Sequence, residues 1–115
     1  MTDEERMRRV DLLLSHVWMV RTFLKHSEEA EEDEELCGVH RGLYDYCLAL
    51  GKPWREQDAA AYVKQARKKL GKLQRATTEF LEMQPEVSTH TNFQMAAASL
   101  RAAVEEIAAV LQPPA

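Results

Sequence analysis

The sequence predicts an all-α domain, an up-down-up-down antiparallel four-helix bundle, on three observations. Ala, Leu, Glu, Lys and Arg dominate, and β-branched and aromatic residues are sparse, which favours helix over strand. Four segments carry apolar residues at alternating three- and four-residue spacing, the mark of a helix with one buried face. Short acidic or Gly- and Pro-containing stretches separate them, and short connections favour antiparallel neighbours.

The first helix is expected to start at Thr2 or Asp3, with Asp3, Glu4 and Glu5 complementing the positive end of its dipole. Val10, Leu13, Val17, Val20 and Leu24 form its core stripe, widened by Leu14. Leu12, Met19 and Phe23 fall on a second side, with His16 and Trp18 at its border. A helix that is apolar on two sides has two neighbours, and the second can come from another copy of the chain. Residues 28–35, EEAEEDEE, hold seven acids whose mutual repulsion weakens a helix, so the first turn is placed there. The competing reading is one unbroken helix from residue 3 to 50.

The second helix reads through Leu36, His40, Leu43, Cys47 and Leu50, with Tyr44 and Leu48 flanking, and Gly51-Lys52-Pro53 is expected to end it. The third starts between Trp54 and Asp58 and runs to Met83. It buries Ala59, Val63, Ala66, Leu70, Leu73, Thr77 and Phe80, and Gln84-Pro85 is expected to stop it. Ser88, Thr89 or Thr91 is the expected cap of the fourth helix, whose stripe is Phe93, Ala97, Leu100, Val104, Ile107 and Leu111. A chain of 115 residues with 45% apolar content can bury a core without staples. One domain is therefore expected over residues 1–112, with 113–115 as a frayed tail.

A formal charge of −4 argues against wholesale binding to nucleic acid or anionic membrane. No long apolar run reads as a spanning helix or a secretory leader, so a cytoplasmic location is the expectation. Cys37 and Cys47, ten residues apart in one helix, stand about 15 Å apart and cannot pair with each other. Two free thiols fit a reducing compartment.

Four histidines are the obvious chemical candidates. In an up-down-up-down bundle His26, His40 and His90 share one pole, and His16 lies near the level of Cys47. His40 takes a core-stripe position, where its ring nitrogens need partners. Cys37 and His40 form Cys-x-x-His on a helix and, with His90, could supply three ligands to a transition metal such as zinc or iron. The plainer reading of His40 is a hydrogen-bonded core imidazole, and no cofactor is then expected. Di-iron carboxylate bundles carry Glu-x-x-His on paired helices, whereas position 37 is Cys and no second copy exists. Hemerythrin-type bundles carry histidines four apart, and none are found here. Arg9 and His16 have the loose spacing of the Arg-to-His pair of HEPN ribonucleases, but stand early in the chain rather than late, and no named family is matched.

Lys64, Lys68, Lys72 and Arg75 line one side of the third helix and could bind phosphates. No aromatic residues interleave with them, so a solvated or ion-paired face is the stronger reading and nucleic acid is not the expected partner. The leading expectation is a non-enzymatic scaffold that forms a homodimer through Leu12, Met19 and Phe23, with Trp18 beside them, and binds a further protein. The alternatives are the ligand site at Cys37, His40 and His90, and an RNA-binding surface built on Arg9, His16 and the basic side of the third helix.

Overall fold

The computed structural model describes residues 1–113, and the tail residues 114–115 lie outside it. The described residues are all-α and form six helices rather than the four expected: α1 (Asp3–Lys25), α2 (Glu28–Glu32), α3 (Glu34–Ala49), α4 (Gly51–Arg55), α5 (Ala59–Val87) and α6 (Thr91–Leu111). Four are long. The additional two, α2 and α4, are single turns inside the connections.

Thr2 starts α1 with a reciprocal cap: its hydroxyl accepts from the Glu5 N–H and the Glu5 carboxylate accepts from the Thr2 N–H, both at 3.1 Å. The unbroken 3–50 helix is not formed. The acidic stretch does not melt into a turn either. Ser27 and Asp33 cap two successive helix starts, so Glu28, Glu29, Glu34 and Glu35 all lie in first turns, where the dipole favours carboxylates.

Gly51-Lys52-Pro53 does not end the helical path. Leu50 closes α3 and the next five residues wind one more turn, with Pro53 where a missing N–H costs little. The break comes at Glu56–Asp58, where Gln57 takes a left-handed φ of 53° and Asp58 caps α5. Pro85 also fails as a stop, because α5 carries it internally and continues to Val87. The cap of α6 is His90, whose Nδ1 accepts from the Asn92 N–H at 3.0 Å, while the Ser88 hydroxyl accepts from the His90 N–H.

Cross-links between helices fix their directions. Arg9–Glu106 (3.1 Å), His16–Ser99 (3.2 Å) and the edge-to-face rings of Phe23 and Phe93 run α6 antiparallel to α1. The Tyr46 hydroxyl donates to the Ala66 carbonyl at 3.1 Å, joining α3 to α5. Arg67 Nε donates to the Leu111 carbonyl at 2.8 Å, closing the C-terminus of α6 against α5. Each long helix touches two neighbours in the order α1, α3, α5, α6, and α1 also meets α5 through the core. Val10, Val17, Leu24, Leu36, Leu43, Leu73, Phe80, Leu100 and Ile107 fill that core with at most 1% of their surface exposed. Each such side chain contributes about 1.5–3 kcal/mol relative to exposure.

The core line of α3 differs from the expected stripe. Val39 and Tyr46, not His40 and Cys47, complete the buried line of Leu36, Leu43 and Leu50. The tyrosine can be buried because its hydroxyl has the Ala66 carbonyl as partner.

Candidate interaction surface

The outer side of α1 and its seam with α3 carry the unusual features of the molecule. Leu12 and Met19 are 66% and 65% exposed, two turns apart on one line, and Trp18 beside them is 43% exposed. Across the seam Leu48 of α3 is 62% exposed, and Met95 of α6 is 58% exposed. Met95 stands one turn before Ser99, which His16 reaches, and so is level with the turn of α1 that carries Met19. Scattered apolar residues are ordinary on a surface; here five large ones are exposed on α1 and on the two helices that flank it, α3 and α6.

A groove of about 440 Å³ runs along the seam, lined by Asp11, Trp18, Met19, Tyr44, Cys47 and Leu48, among others. Its upper wall is stiffened by Arg21, whose guanidinium lies 4.7 Å from the Trp18 ring centre and 4.6 Å from that of Tyr44. At its other end the Tyr62 hydroxyl donates to Asp11 Oδ1 at 3.2 Å. Burial pushes the Asp11 carboxyl up against the opposing effect of that hydrogen bond, and it pushes the Tyr62 hydroxyl up as well.

The same seam is incompletely satisfied. Arg21 Nε and Thr22 Oγ1 on α1 and His40 Nδ1 on α3 are buried without a hydrogen-bond partner. His40 Nε2 meets Cys37 Sγ at 3.6 Å. Burial and then the charges of Arg21, Arg41 and Lys25 push the His40 imidazole down, which favours its neutral form. Burial likewise pushes the Cys47 thiol up to about 11.

The expected metal triad is not assembled. Cys37 and His40 are adjacent, but His90 is spent capping α6, and among the described residues no group of three His, Cys, Asp or Glu side chains is arranged to hold a metal ion. Of the expected contact residues, Leu12, Met19 and Trp18 face outward, while Phe23 is half-buried against Phe93 at 4.9 Å between ring centres. Arg9 and His16 both point to α6 partners. Lys64, Lys68, Lys72 and Arg75 are exposed along α5 and take no ion-pair partner among the described residues. Trp54 sits in α4, edge-on to Tyr62. Leu48, Met95 and Arg21 are the surface residues the periodicity did not single out, although Leu48 and Met95 fall off their helices' core lines and a helical wheel separates them.

No helix among the described residues is long and apolar enough to cross a membrane. No protein-family model matches the chain, and no curated protein or solved structure matches it.

Proposed function

We propose that the chain is a non-enzymatic helical interaction protein, an up-down-up-down antiparallel four-helix bundle that forms a two-fold dimer through the outer side of α1. The observation that carries this reading is the exposed patch of Leu12, Trp18, Met19, Leu48 and Met95 beside the seam groove. Trp18 is the anchor: it is large, amphipathic and held by Arg21 and Tyr44, so little side-chain freedom is lost when a second copy covers it. Phe23, spent on Phe93, supports the patch from beneath. The two unpaired cysteines suit a reducing compartment, and the cytoplasm is the proposed location.

Sedimentation of the wild type and of a Leu12→Glu/Met19→Glu variant, both at high salt, tests the reading. The expected result is a dimer for the wild type and a monomer of unchanged helicity for the variant. A wild type that stays monomeric at high micromolar concentration ends it.

A further inference from the structure

The solvent side of α5 carries a charge pattern that the apolar patch does not explain. Lys64, Lys68, Lys72, Arg75, Glu79, Glu82 and Glu86 follow one another at spacings of four or three residues along the helix Ala59–Val87. That rhythm keeps all seven on one straight stripe, opposite the buried line of Val63, Ala66, Leu73, Thr77 and Phe80. The stripe is about 33 Å long, basic in its first half and acidic in its second. All seven side chains are exposed, and among the described residues none makes an ion pair or a side-chain hydrogen bond within the chain.

The signs are arranged as a mirror about Arg75. Lys64 and Glu86 are equally distant from it, as are Lys68 and Glu82, and Lys72 and Glu79 are so to within one residue. A two-fold axis at that point makes residue i meet residue j and j meet i, which turns this pattern into three opposite-charge pairs, each made twice. A parallel alignment would set like on like. The flanking grooves between α3–α4 and α5 follow the same polarity: Glu35, Glu79 and Glu82 line the one at the acidic end, and Lys52, Lys64 and Lys68, with a single acid, Glu56, the one at the basic end. Near the axis the surface is low, because Gly71 has nothing within 4 Å of where a Cβ would stand.

We infer that α5 is a second contact surface whose occupant is the α5 of another copy, antiparallel, with Lys64, Lys68 and Lys72 against Glu86, Glu82 and Glu79 of that copy. Exposed ion pairs are individually weak, so this contact is expected to be low in affinity and strongly screened by salt. It does not depend on the apolar patch. Because α5 lies diagonally across the core from α1, the two contacts together would join dimers into open chains.

The test is sedimentation in the Leu12→Glu/Met19→Glu background, which leaves only the α5 contact to be read. Concentration-dependent association at low ionic strength that disappears at high salt is expected. Lys68→Glu alone and Glu82→Lys alone should each weaken it at least about tenfold, since each sets like charges together twice. An equimolar mixture of those two variants should associate again, as should the chain carrying both changes, because every pair then has opposite signs. Arg75→Ala, which removes the one like-charge encounter at the axis, should strengthen association. Absence of salt-sensitive association, or no rescue in the mixture, overturns the inference. So does Glu82→Lys tightening the binding of a heparin probe while leaving self-association unchanged, which would assign the basic half to a polyanion.

Discussion

Helix α1 has two flanks, and they are built to different standards. Toward α6 the contact is closed: Phe23 packs on Phe93, and Arg9–Glu106 and His16–Ser99 tie the rim. Toward α3 the contact holds three buried polar atoms without partners, two free cysteines and a surface groove. A buried polar atom without a hydrogen bond costs about 1–3 kcal/mol, so the α3 flank gives up stability that the α6 flank does not. Trp18, Met19 and Leu48, three of the exposed apolar residues, line the groove on that weaker flank. Helix α6 thus holds α1 in place, while the α3 side carries the groove and the unpaired polar atoms.

Leu100→Ala, in the fully buried line of α6, should destabilise the fold by about 2–5 kcal/mol, read from chemical denaturation. Thr22→Val on the other flank replaces an unpartnered buried hydroxyl with a methyl of similar volume, and should be neutral or stabilising by up to about 1 kcal/mol. If Thr22→Val cost as much as Leu100→Ala, the α3 flank would be as tightly determined as the α6 flank and the contrast would be lost.

A smaller effect comes from His40. Its folded imidazole is pushed below its ordinary value, first by burial and then by Arg21, Arg41 and Lys25. The unfolded chain therefore binds the proton more readily. The stability contributed by keeping His40 neutral is fully present above the unfolded value of about 6.5, and is lost as pH falls through it toward the lower folded value. Stability followed from pH 8 to pH 5 should decline more in the wild type than in His40→Leu, which has no proton to take up. Parallel profiles would mean that His40 is hydrated in solution and that the seam is wetter than its packing indicates.

The helices also differ in how far sequence alone specifies their buried faces. The stripe of α6 is readable because its apolar positions form one line, whereas the expected α5 line leaves out the buried Tyr62 and Ala76 and takes in Ala59 and Leu70, which are only half-buried, and in α1 Leu14 rather than Leu13 is the buried residue. In α3 the residues Leu36, Leu43 and Leu50 repeat every seven, and two lines share them: one through His40 and Cys47, the other through Val39 and Tyr46. Periodicity alone does not choose between them. The choice is made by a tertiary partner, the Ala66 carbonyl that satisfies the Tyr46 hydroxyl, and it turns His40 and Cys47 toward α1. Pro53 and Pro85 misled for a related reason, since a proline tolerated in a short first turn or near a helix end reads locally as a stop. The apolar candidates Leu12, Trp18 and Met19 were visible as residues off the core line. His90 caps the α6 backbone, a role that its residue type does not announce.

The smallest predicted effect is chemical and compares two positions on a single helix. Cys37 and Cys47 are both half-buried on α3, yet burial holds the Cys47 thiol at about 11, so only about a thousandth of it is thiolate at pH 8. Cys37 sits at the start of α3, with the His40 ring nitrogen 3.6 Å from its sulfur. An aromatic disulfide reagent applied to the folded chain should therefore modify Cys37 first, with Cys47 following only on the timescale of local opening, and peptide mapping identifies the order. Leu48→Glu at the rim of the groove should accelerate Cys47 without affecting Cys37 if the apolar lining is what keeps solvent out. Equal rates in the wild type would show the α1–α3 seam opening freely. The groove would then have to be regarded as one of several states rather than a preformed surface.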